Sequence, residues 1–384
     1  RRGGGAGGGM GAARRGGGPV SRVAPAQVVW AEVGDARYPV HLGPGLLDRV
    51  GALWAERAAG PGVLLVSDGN VPGLARRVRA SLQEAGMRVV GASVPSGEAS
   101  KSLAQVERLA RLAAEAGLRR ADAVVALGGG VVGDLAGFVA ASYQRGVRLV
   151  HLPTTLLAMV DSAIGGKTGV DLPEGKNYVG AIWQPDLVVM DTEALAGLPA
   201  RELACGFAEV VKYGLLDGPG LLGDVEAWPA LPGPPDELAA LIRRCVAHKI
   251  AIVAADERDH GLRASLNLGH TVGHGIEAAA GYERYRHGEA ISLGQLAALR
   301  LSEEELGLDA GVRGRVAAVL ERHALPTRLA PEVATPAILE AIGRDKKAGE
   351  DALNMVLLAA PGDVRLGITP PRERLVAAIE ELRG

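Results

Sequence analysis

The stretch SLNLGHTVGHGIEAA, residues 265–279, sets His270 and His274 four positions apart, on one face of a predicted helix. Two imidazoles at that spacing can grip one metal ion, as in HExxH zinc sites. Here the motif reads HTVGH, so no glutamate inside it can serve as base. A catalytic zinc takes three protein ligands and keeps one position open. The candidates are Glu209, His270, His274 and His287. Spacing favours the pair His270 and His274. His287, followed by Gly-Glu where a loop enters a helix, is equally well placed, and these residues alone leave the choice open.

Other polar residues interrupt faces that otherwise read as buried. Glu209 and Lys212 lie one turn apart in GFAEVVKYG, Lys249 lies in AHKIAIVAA, and Arg263 and Asn267 lie in GLRASLNLGH. Charges in such settings are rarely tolerated unless paired, metal-bound or functional. A lone core histidine is usually structural, but that explanation does not stretch over the whole set. The cations read as a cradle for a phosphate or carboxylate.

A second cluster follows the strands of the first half. LGGGVVGDLAGF, 127–138, follows an apolar run and opens a helix, so its glycines let backbone approach a phosphate at a helix N-terminus. The triplet is contiguous and is not GxGxxG. SDGN (67–70), SGEASK (96–101) and HLPTTLLAMVDSAIGGKTGVD (151–171) follow such runs, and EGKN (174–177) adds another lysine. A dinucleotide lying across one sheet edge accounts for all of them.

The elements that must position these residues have two rhythms. Between about 26 and 195, the runs GVLLVSD, MRVVGASV, ADAVVALGGG, VRLVHLPTT and DLVVMD alternate with helical patterns such as LARRVRASLQEAG. That alternation predicts an α/β domain with a parallel, Rossmann-like sheet, which binds ligands beyond the carboxyl ends of its strands. From 196 to 384 the rhythm is helical, with NMVLLAAPGDVRL (354–366) as a hairpin. A mostly α-helical second domain is expected, with a cleft between the two. Residues 1–25, nearly all Gly, Ala and Arg, cannot bury enough to fold and are expected to be a disordered leader.

Composition narrows the function. Without the five arginines of residues 1–31, the chain carries 37 basic and 44 acidic residues, which argues against a nucleic-acid surface. Twelve aromatics argue against a base-stacking platform. No apolar run is long enough to span a bilayer. Two cysteines, Cys205 and Cys245, form no disulfide framework, and a reducing cytoplasm is expected.

The ordered blocks GGGVVGDLAGF, LPTTLLAMVDSAIGGKTGVD, GKNYVGAIWQP, GFAEVVKYG, ADERDHGLRASLNLGHTVGHGIE, HGEAIS and RDKK resemble the 3-dehydroquinate synthase family. That family is one of the sugar-phosphate cyclases, a group related to glycerol and iron-dependent alcohol dehydrogenases. The match runs from about Val63 to Leu366. It implies NAD on Asp68, Asn70, Glu98, Lys101, Gly129, Gly130, Asp134, Thr154, Thr155 and Lys176, with 194–197 at the edge. It implies a divalent metal, usually zinc with cobalt as an alternative, on Glu209, His270 and His287. His274 then faces the substrate phosphate, so the histidine pair is split, against the spacing argument. Substrate contacts implied are Asp161, Lys167, Asn177, Lys212, Lys249, Arg263, Asn267 and one of Lys346 and Lys347. Arg145 is a further phosphate contact, reaching across a homodimer interface. Ala163, Gly275 and Gly73 depart from the family pattern without removing a ligand.

The implied reaction converts 3-deoxy-D-arabino-heptulosonate 7-phosphate to 3-dehydroquinate and phosphate, in the shikimate route to aromatic amino acids. Transient oxidation at C5 acidifies the C6 proton, phosphate leaves, hydride returns, and an aldol step closes the ring. The outcome is that of a lyase, and the substrate's own phosphate can act as base. The rivals are another cyclase acting on a sugar phosphate without a carboxylate, a metal- and NAD-dependent polyol dehydrogenase, and an inactive NAD-binding protein. Arg263, Asn267 and RDKK favour a substrate with a carboxylate, and the retained ligand set disfavours an inactive chain.

Overall fold

The structure, a computed structural model, describes residues 27–57, 60–229, 231–233, 235–346 and 353–384. The expected leader, Lys347 and the side chain of Lys346 lie outside the described residues.

Strands β3 (Gly62–Asp68), β5 (Ala123–Gly128) and β9 (Leu187–Asp191) are buried along almost their whole length. Their near-continuous apolar runs match strands covered on both faces. With β1 (Gln27–Val33), β2 (Ala36–Gly43), β4 (Arg88–Val94) and β6 (Arg148–Pro153) they form a seven-stranded sheet in the order β1-β2-β9-β6-β5-β3-β4. All pairings are parallel except β1 with β2, so the expected parallel sheet gains one antiparallel edge strand. The side-chain period of two divides the strand residues between two cores. Val63 and Leu65 pack with α1 (Val50–Ala55) and α2 (Pro72–Glu84) on one face. Leu64 and Val66 pack with α3 (Leu103–Glu115) and α4 (Gly130–Ser142) on the other. A separate hairpin of β7 (Lys167–Leu172) and β8 (Gly175–Ile182) packs on α4.

A 3-10 turn, Thr192–Gly197, carries the chain from β9 into α5 (Ala200–Asp217), where every residue from Leu203 to Leu216 is buried. The rest of this half is α6 (Pro219–Glu226), α7 (Pro235–Ala255), α8 (His270–Ala279), α9 (His287–Leu306), α10 (Ala310–Arg322), α11 (Thr335–Lys346) and α12 (Arg372–Glu381), of which α6, α7 and α9 pack directly on α5. The hairpin of β10 (Met355–Ala360) and β11 (Asp363–Ile368) falls where the sequence places one. The helical half does not have a core to itself. Tyr38, Val40 and Leu42 of β2 join the same buried cluster as Phe207, Val210 and Leu293.

Two close approaches fix the helices that carry the histidines. A Cβ on Gly288, the second residue of α9, would lie 2.2 Å from the Cys205 carbonyl oxygen of α5. One on Gly294 would lie 2.0 Å from the carbonyl oxygen of Gly269, the residue before α8. Only glycine lets α9 press against both backbones at once. Next to Gly294, Gln295 donates from Nε2 to the Ala208 carbonyl at 2.9 Å.

Candidate active site

The carboxyl ends of β3 to β6 form one wall. Asp68 ends β3, Glu98 lies in a 3-10 turn after β4, and Thr154 and Thr155 follow β6. Asp68 accepts from the Asn70 amide at 2.8 Å and from the Ser96 hydroxyl. Gly129 sits at the N-cap of α4 with no side chain capping the helix, so its first amides face outward with the positive end of the helix dipole. A Cβ on Gly129 would meet Thr155 at 3.2 Å, and one on Gly130 would meet the Ser162 hydroxyl at 3.1 Å. The glycines therefore keep open a bare-backbone cradle at a helix N-terminus, which suits a diphosphate.

Lys101 is buried beside this cradle. Its ammonium donates to Asp134 Oδ2 at 2.9 Å and Asn177 Oδ1 at 2.5 Å, with Glu98 at 3.6 Å and Asp171 at 4.0 Å. Burial alone would depress its pKa, but Asp134 and Glu98 outweigh it and the group is held protonated. Burial pushes the Asp134 carboxyl up to about 6 against the opposing pull of Lys101. Asn177 holds a left-handed backbone, φ 59°, and its amide donates to Asp171 Oδ1 at 2.8 Å. Lys176 stands 3.8 Å from Glu98 and 4.5 Å from the centre of the Tyr282 ring, so it touches both halves of the molecule.

The opposite wall is helical. Glu209 of α5 is completely buried, and neither of its carboxylate oxygens accepts a hydrogen bond of good geometry. Lys212, one turn on, forms an ion pair with Oε2. Burial pushes the Glu209 carboxyl up, yet Lys212 and His270 outweigh it and hold it well below the usual carboxylate range. His270 Nε2 lies 3.5 Å and His287 Nε2 3.4 Å from Glu209 Oε1. The three residues place their ligand atoms within 4.8 Å of one another. One carboxylate oxygen and two imidazole nitrogens, from three elements, make a donor set that suits zinc or a similar divalent ion. His274, also on α8, is exposed; its ring centre is 5.3 Å from that of His270 and 5.8 Å from that of His287.

Between the walls, Lys249 of α7 donates to Asp161, which lies in a π-helical turn over Ala158–Ser162. Asp161 is influenced by Lys212 and Glu209 on one side and itself acts on Asp134 on the other, which ties the two clusters into one cleft. Arg263 is buried and donates to the carbonyls of Gly165 at 2.9 Å and Glu257 at 2.7 Å, bracing the cleft floor. Asn267 is exposed at the end of the 3-10 turn Leu262–Asn267 that also carries Arg263. Lys167 forms an ion pair with Asp259. Arg145 is exposed on a turn where Gln144 and Arg145 both hold positive φ, 53° and 61°. Two consecutive non-glycine residues in that region are strained, a feature that gathers at functional sites.

Sequence reading passed over Asp171, Asp259 and Glu277. For Glu277 a signal existed, because it lies three residues after His274 and seven after His270 on the same helical face. Gly275, a departure from the family pattern, has a local reason: a Cβ there would lie 2.7 Å from Ile342 Cγ1 of α11.

Family models described as 3-dehydroquinate synthase N-terminal and C-terminal match residues 91–205 and 206–348. The 3-dehydroquinate synthase of Symbiobacterium thermophilum is 48% identical over 339 residues, 87% of this chain and 94% of that protein. That of Geobacter metallireducens is 44% identical over 328 residues, covering 85% of this chain and 91% of its own. Among solved structures, 2-deoxy-scyllo-inosose synthase complexed with carbaglucose-6-phosphate, NAD+ and Co2+ superposes with a TM-score of 0.84 at 26% identity, over 92% of this chain and 99% of that one. By matched models and by identity along most of its length, this chain belongs to the 3-dehydroquinate synthase family.

Proposed function

We propose that the chain is a phosphate-eliminating cyclase that converts 3-deoxy-D-arabino-heptulosonate 7-phosphate to 3-dehydroquinate and phosphate. The observation that carries this is the trio of fully buried Glu209 with half-buried His270 and His287, sharing one cleft with a glycine cradle and four lysines. Identities of 44% and 48% to 3-dehydroquinate synthases favour this substrate over the sugar phosphate of the cyclase that is 26% identical.

In this reading a dinucleotide lies with its diphosphate at Gly129 and Gly130, its ribose hydroxyls toward Asp68, and its far end near Asp134, Thr154 and Thr155. Glu209, His270 and His287 hold a divalent ion. When bound, the ion would acidify the substrate hydroxyl it holds, and NAD+ would take up and return a hydride. The chain's own residues hold and orient. Lys212 and Lys249 place positive charge where the substrate's hydroxyls lose protons, and Asp161 keeps Lys249 aimed. Lys167, Asn177, Arg263, Asn267 and one of Lys346 and Lys347 hold the anionic ends, which fixes the reacting conformer. His274 faces the substrate phosphate, with Arg145 reaching in from a second copy of the chain in a homodimer. Both cysteines are buried and free, in keeping with a cytoplasmic enzyme. Among the described residues no helix is long and apolar enough to cross a membrane.

The test supplies 3-deoxy-D-arabino-heptulosonate 7-phosphate with trace NAD+ and zinc, and follows phosphate and NADH together. Phosphate far in excess of NAD+, with no NADH accumulating, is expected. NADH accumulating from a polyol without phosphate release would move the chain to the dehydrogenases.

A further inference from the structure

Glu277 of α8 is buried and stands outside the trio, beside His287. Its Oε2 lies 3.3 Å from His287 Nδ1, while the other ring nitrogen, Nε2, faces Glu209 Oε1 at 3.4 Å. His270 repeats the arrangement. Its Nδ1 lies 3.2 Å from the Leu268 carbonyl oxygen, and its Nε2 faces the same Glu209 oxygen at 3.5 Å. Both rings are thus backed on Nδ1 and offer Nε2 to one shared point.

The two backings differ in kind. Leu268 uses main chain, two residues away, which comes with the local fold. His287 opens α9 after the stretch Gly281–Arg286, and among the described residues its Nδ1 is met by a side chain from another helix. A neutral imidazole that donates from Nδ1 must carry its lone pair on Nε2. Without an acceptor at Nδ1, the ring can take the other tautomer or turn about its Cβ–Cγ bond.

We propose that Glu277 is a positioning residue that fixes the tautomer and ring plane of His287, so that Nε2 joins Glu209 and His270 around one ion. The inference rests on the reading of that trio as a metal site. His274, Glu277 and His287 also lie within ligand reach of one another. That alternative would turn Glu277 into a ligand, but it leaves unexplained why the Nε2 atoms of His270 and His287 converge on Glu209.

The test strips the full chain of metal with a chelator and titrates it with Co2+ alone, against a chromophoric competitor, without substrate or NAD+. The wild-type chain is expected to bind one ion. Glu277→Leu is expected to bind one ion about 10–100-fold more weakly, the usual cost of losing an outer-shell partner, with an altered visible Co2+ spectrum. Glu277→Gln keeps an acceptor at the same place and is expected to stay within about threefold of wild type. Glu277→Leu matching wild type overturns the inference, as does a second ion in wild type that this variant loses. Selective 15N-histidine spectra of the metal-loaded wild type give an answer that does not depend on how a variant folds. A proton on Nδ1 of His287 is expected, and a proton on Nε2 overturns the proposal. A wild-type chain that binds no Co2+ removes the metal reading itself, a different failure from a wild type that binds Co2+ but does not need Glu277.

Discussion

Lys249 donates to both the main-chain oxygen of Asp161, at 2.5 Å, and its carboxylate Oδ1, at 2.6 Å. The pair joins the long helix α7 to the turn that follows β6, so one ammonium fixes the distance between the helical half and the sheet. Burial pushes the Asp161 carboxyl up, but Lys249 and Lys212 outweigh it and hold it down at about 2. Lys249→Met keeps most of the side chain and removes the donor. It leaves a carboxylate that is about one-third exposed without its main partner, a change that costs about 1–3 kcal/mol. Cyclase activity is expected to fall at least about a hundredfold, because the cleft loses its register. Urea unfolding and phosphate release measure the two effects. Asp161→Asn, which keeps the main-chain acceptor, is expected to cost less stability than Lys249→Met.

The histidines of the cleft separate by experiment. His287→Ala removes a nitrogen that faces Glu209 and is expected to lose metal and activity together, with affinity down by more than about a hundredfold. His274 is exposed and outside the trio, so His274→Ala is expected to keep most of the metal while losing activity. Metal content after desalting, set beside turnover, distinguishes them. Equal metal loss in both variants would sink the split assignment.

Much of this arrangement is legible in the sequence, for reasons that vary by element. GVLLVSD and ADAVVALG read as buried strands because parallel strands covered on both faces are apolar throughout. The GKNYVGAI strand does not announce itself, because none of its residues is buried and two of them are glycine. The β1–β2 hairpin is hidden for another reason: its inward residues pack with helices of the second half, α7 above all, some two hundred residues further along. For the metal site, helical periodicity puts His270 and His274 on one face but carries no information about which of them α5 approaches. That is decided by α9 pressing on Cys205 and Gly269 through Gly288 and Gly294. The buried carboxylate of Glu209 then chooses His270 and His287 and leaves His274 at the surface.

Glu209 and Lys212 form a buried ion pair within α5, and the cost of breaking it depends on metal. In the metal-free chain, Lys212→Met strands a fully buried carboxylate with only two imidazoles beside it, and a loss of about 3–5 kcal/mol is expected. A divalent ion on the trio would supply the missing positive charge. Zinc is therefore expected to raise the unfolding temperature of Lys212→Met by more than it raises that of wild type. Thermal unfolding of both proteins with chelator and with zinc gives the comparison. Identical zinc-induced shifts would show that the ion does not sit against this carboxylate.

His151 makes stability depend on pH through the strand that delivers Thr154 and Thr155. It is buried in β6 against Gly133 of α4, and burial pushes its pKa down to about 4. In the unfolded chain the imidazole titrates near 6.5. Above that pH neither state carries the proton, and His151 contributes no pH dependence. As pH falls from 6.5 toward 4, the unfolded chain takes up a proton that the folded chain refuses, so stability drops by up to about 1.4 kcal/mol per pH unit. About 3 kcal/mol accumulates by pH 4. His151→Gln removes this term, while His41 and His323, also held low by burial, stay common to both proteins. The stability of the variant relative to wild type is therefore expected to rise by about 2 kcal/mol between pH 7 and pH 5. Denaturant unfolding at a series of pH values checks it, and parallel curves for the two proteins would mean that His151 takes up its proton in the folded state as readily as in the unfolded one.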